Sequence, residues 1–112
     1  MLSCVKKKRI HKMVKHIVFW RFKDEAEGAA KNENVQKVIA SLKALPAQIP
    51  EILELEVGEN FSGREIACDL ALYTTFESEK ALNIYAAHPE HVKVAQFIGS
   101  VVSEGRVVDY HV

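Results

Sequence analysis

Apolar residues alternate with polar ones in some stretches of this chain and recur every three or four positions in others, and the switches between the two periods mark its elements. Between Val14 and Lys23, aromatic and β-branched residues predict a strand, with His16, Val18, Trp20 and Phe22 on one face and Lys15, Ile17, Phe19 and Arg21 on the other. Both faces are substantially apolar. Covering one with helices leaves a second to hide, which signals dimerisation. From about Glu25 to Leu45, residues Val35, Val38, Ile39, Leu42 and Leu45 form one helical stripe, which Pro46 is expected to stop. Residues 52–59 set Leu53, Leu55 and Val57 against Glu54 and Glu56, a strand with one wet face. A turn or short loop over residues 60–64 follows. Strand character resumes from Ile66 to Phe76, with Cys68, Leu70, Leu72, Thr74 and Phe76 on one face and Asp69, Ala71, Tyr73 and Thr75 on the other.

Ser78 suits the N-cap of a helix running to about Ala87, because its hydroxyl can accept from an otherwise unpaired amide. A residue before proline avoids helical geometry, so His88 marks a break, and Pro89 fits the first turn of a second helix. That helix carries His91, Val94, Ala95 and Ile98 on one stripe, with Gly99 at its expected end. A last strand spans Val101 to Val112, strongest over Arg106–Tyr110, with Val107 and Asp109 sharing a face. Strand, helix, strand, strand, broken helix, strand predicts an α+β fold: a ferredoxin-like four-stranded antiparallel sheet with helices on one face. In that arrangement the first and last strands are expected to be non-adjacent while still contributing to one face beneath the helices.

Composition narrows the class. The 112 residues suffice for one hydrophobic core, and 48% apolar with 27% charged residues matches an ordinary soluble globular protein. No run approaches the roughly 18 apolar residues of a membrane span. Net charge is zero, yet Lys6, Lys7, Lys8, Arg9 and Lys12 hold five of the fifteen basic residues, and no acid precedes Asp24. The remainder has ten basic against fifteen acidic residues, which makes nucleic acid an unfavourable partner for the folded part. Residues 1–12 are read as a disordered basic extension or the product of an upstream start, since Met13-Val14-Lys15-His16 can itself begin a chain, and residues 13–112 as the domain. No apolar segment follows the charges as a secretory signal requires. Two cysteines, Cys4 and Cys68, are too few for a disulfide framework and lack metal-ligand spacing, so reduced thiols in a cytoplasmic protein are expected.

Several pieces in order resemble the stress-responsive α/β barrel domain (Dabb) family. They are Val14-Lys15-His16-Ile17-Val18, Asp69-Leu70-Ala71-Leu72, Phe76-Glu77-Ser78, Tyr85-x-x-His88-Pro89-x-His91 and Val107-Val108-Asp109-Tyr110. Together they cover nearly the whole chain apart from the basic arm. The resemblance implies a protomer that pairs through its open sheet face into a dimeric α/β barrel. A cleft between helices and sheet is expected to gather Tyr85, His91, His16 and Asp109, and the family includes a plant lineage of polyketide cyclases that use no metal or organic cofactor. Matched to those cyclases, Tyr85 corresponds to the tyrosine that binds a carbonyl and His91 to the general base, while His16 and Asp109 correspond to polar pocket residues.

The chemistry suits these residue types. A near-neutral histidine can take a proton from a carbon flanked by carbonyls, and a phenol can donate to the developing enolate. Trp20 is expected to face the same space as His16 and to restrict the ligand to a small or planar one. Each residue also has a plainer role: His91 as a core histidine with one hydrogen bond, His88 as a helix cap or hinge, Tyr85 as core, Asp109 as half of a polar pair. His88 and His91 have a separation that can serve zinc, with His16 or Asp109 as further ligands, but Pro89 makes them diverge, and no metal is expected. Three function classes follow: a dimeric stress-associated protein that binds a small ligand, a cofactor-independent lyase or cyclase, and a small monooxygenase of the related dimeric ferredoxin-like group.

Overall fold

A computed structural model describes residues 13–112. The expected disordered extension, residues 1–12, lies outside the described residues. The chain forms β1 (Val14–Phe22), a hairpin of β2 (Glu25–Ala26) and β3 (Ala29–Ala30), α1 (Lys31–Gln48), β4 (Glu54–Glu59), β5 (Leu70–Phe76), α2 (Glu79–Ala87), α3 (Pro89–Val101) and β6 (Val102–His111). The main sheet has the order β4-β5-β1-β6, antiparallel throughout. Fold class and element types agree with the periodicity. One topological expectation is overturned: the first and last strands are neighbours, pairing from Val14↔His111 to Phe22↔Val102. Each right-handed crossover runs from a central strand past its neighbour to an edge strand, β1 to β4 and β5 to β6, which leaves β1 between β5 and β6.

The three helices pack on the sheet face that carries Val14, Trp20, Phe22, Leu70, Leu72 and Phe76, and Val38, Leu42, Leu45 and Ile49 of the α1 stripe close the core against it. Leu45 is wholly buried. Leu45→Ala removes its methyl groups and leaves a cavity, so stability is expected to fall by roughly 2–5 kcal/mol. A urea titration at fixed protein concentration reads this as a lower midpoint with unchanged slope.

Four boundaries move, each for a local reason. First, α1 begins at Lys31 rather than near Glu25, because the chain reverses at Glu27 (φ 52°) and Gly28 (φ 75°), the positive pair that a two-residue hairpin turn needs. Buried Asn34 ties this hairpin down, its Nδ2 donating to the carbonyls of Ala26 (3.0 Å) and Ala29 (3.4 Å). Second, Pro46 sits inside the last turn of α1, which continues to Gln48. The missing amide there costs one bond near the end, and the Ile49 amide still donates to the Leu45 carbonyl (2.9 Å).

Third, β5 starts at Leu70. Residues 64–67 turn instead, with the Ala67 amide donating to the Arg64 carbonyl (3.1 Å), and Ile66 is exposed. Fourth, α3 runs through Gly99 to Val101, so this glycine lies within a helix.

Candidate functional site

The break between α2 and α3 is built from its own residues. His88 has extended geometry (φ −64°, ψ 135°), as a residue before proline must, and Pro89 opens α3. The His88 Nδ1 accepts from the Glu90 amide at 3.1 Å and its own amide donates to the Tyr85 carbonyl at 3.1 Å. His88 is therefore spent on capping. The turn it makes brings His91, at the start of α3, over Tyr85, near the end of α2, with ring centroids 4.4 Å apart.

Strand β1 supplies the opposite wall. Its helix-side residues His16, Val18 and Trp20 lie across from Asp109, Val107 and Gly105 of β6. The His16 Nδ1–H donates to Asp109 Oδ1 at 2.5 Å, and buried Thr74 on β5 donates its hydroxyl to the His16 carbonyl at 3.0 Å. The His16 ring stands 6.0 Å from Tyr85 and 6.4 Å from Phe76, which is itself 4.9 Å from Tyr85.

Tyr85 is thus flanked by two imidazoles at one end of a cleft of about 390 Å³ between α3 and the sheet. His16, Tyr85, His91 and Trp20 all line it, whereas Asp109 stands behind His16 and reaches the cleft only through that ring. Beyond the aromatic end the walls are apolar, with Val18, Leu72, Val94, Ile98 and Val107. Among the described residues that line the cleft none is Lys, Arg, Asp or Glu. Sequence reasoning missed Gly99 and Gly105, which line the cleft, and Thr74. For Gly105 the signal was present, since it alternates with Val107 and Asp109 on one face of β6.

Protonation states follow from surroundings. Burial holds the His91 pKa below the ordinary 6.5; the Ala86 carbonyl opposes this, and the imidazoles of His16 and His88 add to it. The His91 Nδ1 lies 3.0 Å from that carbonyl, which can only accept, so Nδ1 carries the hydrogen and the neutral ring leaves Nε2 as its basic atom. Burial pushes Tyr85 up to about 12, keeping the phenol a donor. Among the described residues no three His, Cys, Asp or Glu side chains group to hold a metal ion. None of their helices is long and apolar enough to cross a membrane.

A four-stranded antiparallel sheet with helices on one face and a cleft beneath the last helix defines a ferredoxin-like α+β protein. The chain belongs to the stress responsive A/B barrel domain (Dabb) family, whose model matches residues 14–112. An uncharacterised protein of Streptomyces coelicolor is 31% identical over 80 residues, 70% of this chain and 79% of that protein. Among solved structures, a dimeric ferredoxin-like protein of unknown function from Bacteroides fragilis is 32% identical, with a TM-score of 0.76 over 89% of this chain and 96% of that one. The hydroxynitrile lyase of Passiflora edulis has a TM-score of 0.77 at 22% identity, covering 90% and 94%, a likeness of fold.

Proposed function

We propose that this protein is a cytoplasmic homodimer whose cleft binds a small, uncharged, largely apolar molecule with a carbonyl or hydroxyl at one end. The observation that carries this reading is the division of the cleft: Tyr85 between His91 and His16 at one end, and hydrocarbon with no charged side chain along the rest. A carboxylate or phosphate finds no cationic Lys or Arg there, while a single oxygen can accept from the Tyr85 phenol. Trp20 supports a small or planar body, because its indole occupies one wall. Cys68, unbridged among the described residues, agrees with a cytoplasmic location. The dimer is supported by the exposed apolar residues Phe19, Val108 and Tyr110 on the sheet face without helices, and by the dimeric relative in Bacteroides fragilis.

Trp20 is the single tryptophan, so its emission reports on the cleft directly. Acetophenone is expected to change that emission saturably, and hexanoate, an anion of similar apolar bulk, to leave it unaltered. Equal binding of both would overturn the reading.

A second reading, a cofactor-independent lyase or cyclase, is favoured by the opposed proton preferences of the two central groups. His91 Nε2 takes the proton from a carbon beside a carbonyl as Tyr85 donates to the enolate oxygen. The enolate carbon then bonds to a second carbonyl carbon, and the new alkoxide takes the proton back from His91. The reverse sequence cleaves the same bond. The lyase from Passiflora edulis shares the fold, and its name is consistent with carbon–carbon cleavage on this scaffold. Tyr85→Phe keeps the ring and removes the donor. Turnover of a β-hydroxyketone is expected to fall about tenfold to a hundredfold, since one hydrogen bond to the developing enolate oxygen is lost. Unchanged turnover would remove Tyr85 from the mechanism.

A further inference from the structure

Gly105 faces Trp20 across the β1–β6 ladder, and both line the cleft. A Cβ placed on Gly105 would stand 3.3 Å from Trp20 Cδ1 and 3.6 Å from Nε1, so the indole lies directly over the bare glycine backbone. At that separation the ring must give by a few tenths of an ångström. On its other flank, across the β1–β5 ladder, is buried Leu70, and Ile98 of α3 belongs to the same packed cluster. The open side is the cleft.

We propose that Gly105 is the specificity-determining position of this cleft: by lacking a side chain it lets the Trp20 indole lie back on β6, and so sets how long a ligand body fits beyond the His91–Tyr85–His16 end. This inference rests on the reading of the cleft as a ligand site. Its geometry gives the ligand class a length. His16 and Trp20 are four residues apart on one strand face, roughly 13 Å at the usual rise of a strand. An uncharged ketone with its oxygen at Tyr85 and two rings in line reaches the indole, whereas one ring stops short of it. Gly99 on α3 also lines the cleft and has open space where its Cβ would stand.

The test compares acetophenone with 4-acetylbiphenyl by calorimetry on wild type, Gly105→Ala, Trp20→Phe and the double variant. Gly105→Ala drives the indole into the cleft, so it is expected to lower affinity for the biphenyl roughly tenfold more than for acetophenone, the scale of one overpacked methyl. Trp20→Phe in that background restores the ratio to the wild-type value or above. Without any ligand, acrylamide quenching of Trp20 is expected to rise in Gly105→Ala.

If wild type binds both ketones and Gly105→Ala treats them alike with unchanged quenching, the proposal falls and the cleft reading stands. If wild type binds neither, both fall. Should Gly105→Ala not fold, Trp20→Phe alone decides: an improved biphenyl-to-acetophenone ratio supports the proposal, and an unchanged one overturns it.

Discussion

In light scattering the wild-type chain is expected to run as the proposed dimer, and Phe19→Lys at the same concentration as a monomer. Phe19 projects from the sheet face opposite the helices and is 41% exposed, and Val108 and Tyr110 on adjacent β6 are 54% and 45% exposed. Apolar side chains grouped on one sheet face favour a partner over water. Four polar residues of this face, Lys15, Tyr73, Thr75 and Glu54, are already paired with one another. Lys15 Nζ donates to the Tyr73 hydroxyl and to Thr75 Oγ1 (3.0 Å), and Thr75 Oγ1 donates to Glu54 Oε1 (2.8 Å). Groups satisfied in advance make covering the face less costly, since the penalty falls on polar atoms left without partners.

In a two-fold interface each substitution acts twice. Removing two buried phenyl rings and forcing in two ammonium groups is expected to weaken association by roughly a hundredfold or more, at about 1.5–3 kcal/mol for each ring alone. Circular dichroism should show the protomer fold retained, because Phe19 is outside the buried core. A Phe19→Lys chain that stays dimeric at the same concentration would show that the protein does not pair through this face.

The apolar character of this face was legible because a strand has period two, and a run apolar at both phases marks two apolar faces. The α1 stripe was legible for the same kind of reason: four of its five positions, Val35, Val38, Leu42 and Leu45, are fully buried, and Ile39 packs against them. What could not be read depends on contacts between distant segments. Two-residue strands carry no period, so the β2–β3 hairpin was absorbed into the expected helix. Ile66 has strand propensity, yet no neighbouring strand takes it up, and it stays exposed.

At the site, helix and strand phases bring His16, Trp20, Tyr85 and His91 to one side. The partner of each imidazole was not in the pattern. Asp109 pairs with His16 because β6 lies directly beside β1 in that register, and His91 turns to the Ala86 carbonyl because the break at His88 points it there. The phase of Gly105 with Val107 and Asp109 was legible, but a missing side chain acquires meaning only when the residue above it, Trp20, is known.

His91→Ala is expected to lower the rate at which the α-protons of a bound aryl ketone exchange for deuterium by about a hundredfold to ten-thousandfold, the range for loss of a positioned general base. The expectation follows from one tautomer and one direction of shift. With Nδ1–H bonded to Ala86, Nε2 is the basic atom of the neutral ring, and burial keeps the ring neutral to a lower pH than a free histidine. Exchange should therefore persist through pH 6.5 and fade only below it, where His91 takes up its proton. Tyr85, pushed up to about 12, stays a donor across the same range and adds no alkaline limb below that value.

Stability carries the same sign. The folded pKa of His91 lies below its unfolded value near 6.5, so the unfolded chain binds more protons in that window. The contribution of His91 to folding is complete above the unfolded pKa and is lost as pH falls through the folded one. Proton NMR of the imidazole Cε1–H can follow this directly, and a His91 midpoint above 6.5 would remove the physical basis for a base at this position. Because the His91 ring rests on Tyr85, His91→Gln is the companion variant, keeping bulk over the phenol while removing the base. A slow exchange rate in both variants, with the dimer and the thermal midpoint close to wild type, assigns the loss to chemistry. Rates near wild type in both would make His91 a core histidine satisfied by the Ala86 carbonyl, and the cleft a binding site alone.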